Sequence, residues 1–288
     1  MALTTTANGV WVLQALLGVE TLPVALRLRP FIPSLHDDAL MVSTTAGPVP
    51  VAQTAEYASL AAAGVIDSSG AVDHTVRDWM TVLGRAERQV VLAIRRPDPA
   101  TAGAASPTVA ERVLVVCRHR RWMAMAARDG DEVVIDAVGE SDSRDEQVDL
   151  ICNAMLPAFG DATPADVEGV NIPAGLMYST LANAVPHGGD VLTAALARLG
   201  LAPTLTEVLT AAARFDESAM AVVSLIDTGV TPHVHPRVLT VADTDHGRVS
   251  ITTCASADGR EWMTIWPTTP AGLRDDLAAL LAVPQAAA

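Results

Sequence analysis

The chain has 288 residues, half of them apolar, and a net charge of −14. This composition provides a sizeable hydrophobic core. The negative charge disfavours nucleic-acid binding, because that affinity comes from many Lys and Arg contacts to phosphate. All 19 basic residues are arginine, which excludes the phosphate-loop lysine, the kinase lysine and every Schiff-base mechanism. The arginine-rich stretch RHRR at 118–121 is a local exception that we interpret as a solvated turn.

Three features of the chain concern its compartment. No apolar run approaches the roughly 18–20 residues of a membrane span, and the longest, around 219–226, has the length of a strand. The N-terminus lacks the basic start and apolar run of a secretory signal. Cys117, Cys152 and Cys254 are too far apart for a disulfide framework or a zinc knuckle, so we expect buried, reduced thiols. These features predict a cytosolic protein without membrane insertion.

In the first half, the pattern predicts three helices followed by four strands. A short buried helix is expected at 11–17 and a second at 51–63. An amphipathic helix follows, with Asp73 as its N-cap and Gly84 as its stop, because apolar residues recur there at i, i+3, i+4 and i+7. An Asp-Gly dipeptide at 129–130 predicts a hairpin turn. The strand-like runs are 89–94, 112–117, 121–126 and 132–138.

In the second half, the same order recurs after an acidic stretch at 140–149, which we interpret as an irregular linker. One helix is predicted to end at Gly200, and the next to open with a capping box from Thr204 to Glu207. A last helix is expected after Thr269. The strand-like runs lie at 219–226, 237–242, 248–253 and 261–266.

The two halves also resemble each other in sequence. RVLVV at 112–116 corresponds to RVLTV at 237–241, an offset of 125. The Asp-Gly pairs at 129–130 and 258–259 differ by 129. Such drifting offsets fit an old duplication in which loop lengths have changed.

This repeat predicts the fold class, which is α+β. We expect one domain over 1–288, with pseudo-repeat halves of roughly 1–142 and 143–288 and approximate two-fold internal symmetry. If the exposed edges of the two meanders pair with each other, the result is one central, largely antiparallel sheet. That pairing would remove two unprotected edges.

Two carboxylates and three histidines lie close together in the second half and raise the question of a metal site. The candidate ligands are His233, His235, Asp243 and His246. Turn chemistry accounts for 243–247, and prolines on both sides of the His-Val-His stretch disfavour a regular strand there. No further ligands occur at convincing spacing, and the GxSxG, GxGxxG and HExxH signatures are absent. We therefore predict no metal, no cofactor and no enzymatic activity. A metal-dependent hydrolase using these four residues is the alternative.

Several stretches, in the same order, resemble the EspG family, the chaperones associated with ESX (type VII) secretion. The stretch 243–281 has the D-x-x-H-G-R hairpin, the Asp-Gly turn, the R-E-W strand and the terminal helix of that family. The stretch 9–34 is similar to its opening helix and first strand, and 60–85 to its A-G-V…G-x-V-D-x-x-V-x-x-W segment. The resemblance covers most of the chain and is weakest at 97–111 and 139–175.

The resemblance implies a function and a fold. Members of the family are cytosolic chaperones that bind PE–PPE heterodimers before export, gripping the helical tip of the PPE subunit and masking its apolar residues. Their fold is a quasi-two-fold central sheet with two helical bundles. That description agrees with the repeat inferred from the residues alone.

A client site for an apolar helical tip requires an accessible apolar groove. We place it where the helix layer of the second half meets the sheet, with Asp227 as a polar rim. The alternative is that all of these residues belong to the core. The predicted partner-binding residues are Leu205, Leu209, Val223, Leu225, Asp227, Val249 and Ile251.

The connection at 96–112 is far longer than a usual hairpin loop. It contains three prolines and many small residues, which have little to bury. We expect it to be mobile and to provide a contact if the free protein forms a homodimer.

Overall fold

The computed structural model of the protein describes residues 2–30, 40–44, 47–101, 108–214, 218–229, 231–256 and 259–285. The helices in these residues are α1 (Ala7–Leu17), α2 (Ala55–Ala62), α3 (His74–Gly84), α4 (Arg144–Phe159), α5 (Ala174–Ala184), α6 (Gly189–Arg198), α7 (Pro203–Ala212) and α8 (Pro270–Leu281). The strands are β1 (Leu3–Thr6), β2 (Met41–Thr44), β3 (Gly47–Pro50), β4 (Arg88–Pro97), β5 (Val109–His119), β6 (Trp122–Asp129), β7 (Glu132–Glu140), β8 (Val170–Pro173), β9 (Ala219–Asp227), β10 (His233–Val234), β11 (Leu239–Thr244), β12 (Gly247–Ala255) and β13 (Glu261–Pro267).

One large antiparallel sheet runs through the molecule, in the spatial order β1-β7-β6-β5-β4-β9-β11-β12-β13-β8, with β10 beside β9. β2 and β3 form a separate hairpin. At the centre, β4 pairs with β9 from Arg88 opposite Asp227 to Arg95 opposite Met220. Because β4 and β9 are the first strands of the two meanders, the predicted pairing of the two edges is confirmed. It leaves only short strands at the outer edges of the sheet.

Apart from the β2–β3 hairpin and the short strand β10, the two halves have the same order of helices and strands. An outer strand (β1 or β8) precedes three helices (α1–α3 or α5–α7), a four-stranded meander and a closing helix (α4 or α8). The quasi-two-fold repeat is therefore present in the fold. In this order α4 corresponds to α8, so α4 (Arg144–Phe159) takes the closing position of the first repeat. The outer strands β1 and β8 have four residues each, and the sequence pattern did not predict them.

Three hydrophobic cores lie between the sheet and the helices. On one face, α4 and α8 cover the central strands, and both halves contribute to this shared core. On the other face, α1–α3 cover the first meander and α5–α7 the second. Alternation along β9 distinguishes the faces, because Val223 and Leu225 enter the shared core while Ile226 packs on the first-half helices. The two expected helical bundles are thus α1–α3 and α5–α7.

Helix ends follow the sequence where a capping side chain is present. The Asp73 carboxylate accepts hydrogen bonds from the backbone N–H groups of Thr75 and Val76, at 2.9 and 3.3 Å. The Thr269 hydroxyl accepts one from Gly272 at 3.0 Å. These bonds satisfy N–H groups that have no partner within the helix. None of the helices in the described residues has the length and apolar character of a membrane span.

Several local predictions were wrong. The acidic stretch 140–149 is not a linker, because α4 begins at Arg144 with Ser143 as its N-cap. Its carboxylates Asp145 and Glu146 lie in the first turn, where negative charge favours the helix dipole. Thr204 and Glu207 form no capping box, because α7 already begins at Pro203. The long connection is also shorter than predicted, since β4 ends at Pro97 and β5 begins at Val109. The loop residues 102–107 lie outside the described residues, as does Asp258 of the second Asp-Gly turn.

Candidate functional site

The candidate metal ligands lie at two separate places. His233 is paired with Asp227 at one end of β9, and its ring lies 5.8 Å from the ring of His235. Asp243 is paired with Ala219 at the other end of β9, about 26 Å away at 3.3 Å per strand residue. In the described parts of the chain, no group of three or more His, Cys, Asp or Glu residues could hold a metal ion. The site required by the hydrolase alternative is therefore not assembled.

The D-x-x-H-G-R hairpin has a structural role instead. The Arg248 guanidinium donates to both carboxylate oxygens of Asp243, at 2.6 and 2.9 Å. It also donates to the carbonyl oxygens of Phe159 and Gly160, at 2.9 and 3.0 Å. These carbonyls end α4, where a cation is favoured by the helix dipole. The hairpin of the second half carries His246 in its turn. Through Arg248 it is hydrogen-bonded to the C-terminal end of α4, the last helix of the first half.

The cysteines were predicted to be buried, and two of them are. Cys117 and Cys152 are buried, and burial raises the pKa of both thiols above the usual value. A thiol that stays protonated is a poor nucleophile. Cys254 is exposed, which corrects the prediction for that residue.

The predicted partner-binding residues do not form one accessible groove. Leu205, Leu209, Val249 and Ile251 belong to the core under α5–α7, Val223 and Leu225 to the shared core on the opposite face, and Asp227 to a buried ion pair. Only Ile251 among them is half-buried rather than buried. Side chains alternate along a strand, so Val223 and Leu225 point away from α7. The predicted seam is not formed, and contact of these residues with a partner stays a prediction.

Asp227 is a core residue rather than a polar rim. Its carboxylate accepts hydrogen bonds from Nε and Nη2 of Arg88, at 2.7 and 3.0 Å. The third guanidinium nitrogen, Nη1, donates to the carbonyl oxygen of Val283 at 3.0 Å. Only 8% of Arg88 and 5% of Asp227 are exposed. The pair therefore joins β4, β9 and the end of α8 inside the protein.

Ile226 of β9 packs against the first-half core, and the other β9 side chains on the same face are Met220, Val222 and Ser224, which are all half-buried. Val222 is paired with Ala93 of β4 on one side and with Thr240 of β11 on the other. Ala93 and Thr240 are also half-buried. Antiparallel sheets can leave part of one face open, and here the open part lies between the two bundles. We call Met220, Val222, Ser224, Ala93 and Thr240 the central trough.

A cavity of about 450 Å³ lies beside the second bundle on the same face of the sheet. Val109 of β5 forms one wall, and Val185, Leu192 and Thr210 from the helical side form another. Met220 is paired with Arg95 of β4, and Arg95 is paired with Glu111 of β5. Val109 lies two residues before Glu111 on β5, so its side chain is on the same face of the sheet. Val109 and Val185 are 39% and 36% exposed. A second patch of apolar surface is therefore present beyond the charged row of Arg95 and Glu111 that borders the Met220 end of the central trough.

The sequence signal for the central trough is weak for a physical reason. The run AMAVVSLI at 219–226 is apolar on both faces, so alternation cannot show which side chains face the bundles. Only the register with β4 and β11 decides this. The residues chosen from the sequence, Val223 and Leu225, lie on the face of β9 opposite the central trough.

The chain is similar to known proteins over most of its length. It matches the model of the EspG family over residues 6–279. The ESX-2 secretion-associated protein EspG2 of Mycobacterium tuberculosis is 30% identical over 264 residues, which cover 90% of this chain and 87% of EspG2. The ESX-5 secretion-associated protein EspG5 of Mycobacterium marinum is 24% identical over 281 residues, which cover 93% and 89%. The solved structure of the M. tuberculosis type VII secretion system chaperone EspG5 with the PE25–PPE41 dimer has a TM-score of 0.74 at 22% identity, over 98% of this chain and 96% of that one.

These similarities identify the class of protein. The family and the sequence relatives are ESX secretion-associated proteins, and the chain shares the fold of the solved EspG5. The chain belongs to the EspG family, because the family model spans nearly its whole length and EspG2 matches it at 30% identity. The resemblance seen in the sequence and the expected α+β fold are both confirmed.

Proposed function

We propose that this protein is a cytosolic chaperone of ESX secretion. It binds a PE–PPE heterodimer through the helical tip of the PPE subunit, and keeps the pair soluble before export. Membership of the EspG family supports this, as does the solved complex in which EspG5, with the same fold, holds a PE25–PPE41 dimer. The observation on this chain that carries the proposal is the central trough.

The central trough suits a helical tip because of its composition and position. Its apolar members Met220 and Val222 are half-buried and keep surface to cover on binding, and burial of apolar surface supplies most of the affinity of such an interface. Exposed Arg95 lies next to Met220 on β4 and provides a charged edge. Polar groups at an edge set orientation more than affinity.

Two neighbouring valines test the placement of this site. Val222 faces the central trough, whereas Val223, the next residue, is fully buried on the opposite face. We expect Val222→Asp to abolish co-purification with a co-expressed PE–PPE pair while the melting temperature stays near that of the wild type. Val223→Asp should lower the melting temperature strongly, because it buries a charge without a partner.

A second variant in the central trough tests the same site if Val222→Asp does not fold. Thr240→Arg introduces bulk and charge beside Val222 on a half-buried position and should likewise remove client binding. If both trough variants melt normally and still bind the client, the site lies elsewhere. If Val223→Asp melts normally and loses the client, the original placement on Val223 and Leu225 is correct.

A further inference from the structure

A row of charged residues borders the Met220 end of the central trough. Arg95 of β4 is paired with Met220 on one side and with Glu111 of β5 on the other. Residues directly opposite each other on adjacent strands have Cβ atoms about 4.5–5.5 Å apart and point to the same face of the sheet. The Arg95 side chain therefore begins beside the apolar part of the central trough and on the same face.

Glu111 does not neutralise Arg95, because its carboxylate is already bound by another arginine. Arg27, which ends the 3₁₀ helix Val24–Leu26, donates from Nη1 and Nη2 to the two Glu111 oxygens, at 2.9 and 3.1 Å. Such a bidentate pair occupies both oxygens in a fixed geometry. Arg95 itself is exposed, and its guanidinium has no hydrogen bond or ion pair with any residue that the structure describes. The row thus contains two cations and one anion, so one positive charge is in excess.

This excess is unusual in a chain with a net charge of −14. Two other arginines of the sheet, Arg88 and Arg248, each donate to both oxygens of an aspartate. The five residues of the central trough are uncharged. Charge complementarity at an interface sets partner choice and register more than affinity. An unpaired cation at one end of a neutral trough therefore gives the site a direction.

We propose that Arg95 determines which helical tips the central trough accepts, by pairing with a carboxylate that lies beside the apolar residues of the tip. This inference rests on the proposed chaperone function and adds the chemistry of the client, which carries Asp or Glu at the tip position facing the Met220 end. Arg95 projects from a strand that is paired on both sides, so its backbone is held rigidly. A tip with a neutral or basic residue there would cover the cation without pairing it, which disfavours binding.

Three substitutions of Arg95 separate its charge from its bulk. Each purified variant is titrated with the PE–PPE pair that co-purifies with the wild type, at low and at high salt. Arg95→Met keeps an apolar side chain and should weaken binding about fivefold, and Arg95→Glu about tenfold or more, because it repels the carboxylate. Arg95→Lys should retain most of the affinity. Added salt should weaken binding by the wild type more than by Arg95→Met, since salt screens the pair.

Arg112→Met is the matched control. The Arg112 side chain is 56% exposed and lies on the next strand, but it is paired with Ile94 of the shared core and so points to the opposite face of the sheet. This variant should bind the client like the wild type at both salt concentrations. Because Arg95 and Arg112 are both exposed, all of these variants should melt near the wild-type temperature.

A charge swap identifies the carboxylate of the client. Each Asp and Glu of the PPE tip is changed in turn to Arg, and binding is measured to the wild type and to Arg95→Glu. One of these changes should lose binding to the wild type and regain it by about tenfold with Arg95→Glu. If none is rescued, or if Arg95→Met matches the wild type in affinity and salt dependence, this inference is wrong, while loss of the client by Val222→Asp still supports the chaperone proposal. If the wild type binds no PE–PPE pair, both proposals fail.

Discussion

Leu92 and Val223 face each other across the two central strands, and both side chains are fully buried. Leu92 is also paired with Leu114, and Val223 with Leu239. Leu114 and Leu239 are separated by the same offset of 125 as the repeated RVL motifs. The pseudo-two-fold axis therefore passes between Leu92 and Val223. Because both halves contribute to the core at this point, neither half can complete it alone.

The Arg88–Asp227 pair should be critical because it is buried. We expect Asp227→Ala to lower the free energy of unfolding by about 3–5 kcal/mol, since Arg88 would be left charged without its carboxylate. Changing both residues to apolar ones, Arg88→Met with Asp227→Leu, should recover part of that loss. Chemical denaturation of the three proteins measures the difference.

The surface pair Arg112–Asp129 is the matched control. Its atoms also lie 2.7 Å apart, but the two side chains are 56% and 51% exposed. Asp129→Ala should therefore have little effect on stability. Equal losses for Asp129→Ala and Asp227→Ala would contradict the role of burial.

Gly247 should tolerate no side chain. Its φ is +106°, and an added Cβ would contact the backbone of Ala165 at 2.6 Å. Gly130 has φ of +60° with nothing within 4 Å of the added atom. Gly130→Ala should cost about 1–2 kcal/mol of backbone strain, and Gly247→Ala clearly more, because the segment at 163–165 must also move. Thermal melting of both variants provides the comparison, and equal shifts would refute it.

His235 should make stability depend on pH. Burial, followed by the charge of His233, lowers the pKa of His235, while Asp227 partly opposes the shift. The neutral ring contributes its full stability above the unfolded-state pKa of about 6.5, and that contribution is lost as the pH falls through the lower folded-state pKa. Acidification across this range should therefore lower the melting temperature of the wild type more than that of His235→Asn. His74→Asn, at a side chain 87% exposed, should respond like the wild type.

The histidines should be dispensable for the proposed chaperone function. Replacing His233, His235 and His246 together by Ala should leave client binding within a few-fold, since their positions at opposite ends of β9 allow no common metal. Elemental analysis of the purified wild type should find no stoichiometric zinc. One tightly bound zinc ion per protein molecule would contradict this prediction and support the hydrolase alternative.

The loop between β4 and β5 should be removable. Its ends are already joined, because the N–H of Asp98 donates to the carbonyl of Thr108 at 3.0 Å and the N–H of Thr108 donates to the hydroxyl of Thr101 at 2.9 Å. Replacing residues 102–107 by two glycines should keep a cooperative melt. Gel filtration of the same variant tests the predicted homodimer contact, since a dimer that depends on the loop should dissociate.

Much of the fold could be predicted from the sequence because its signals are local. Asp73 and Thr269 supply caps, and the two-residue turn at Gly130 needs positive φ, so the adjoining helices and strands follow from nearby residues. The repeated RVL motifs indicated the duplication, and the exposed meander edges indicated the sheet. Family membership followed from motifs in a constant order.

Only the tertiary structure decided which residues far apart in the sequence lie next to each other. The apolar run of β9 gives no alternation, so only its register with β4 and β11 shows that Val222 faces the central trough and Val223 the shared core. The acidic start of α4 looked like a linker because its favourable contacts, such as the ion pair of Asp149 with Arg274 of α8, come from the other half of the chain. Burial and pairing of this kind depend on long-range packing, which overrides local preference.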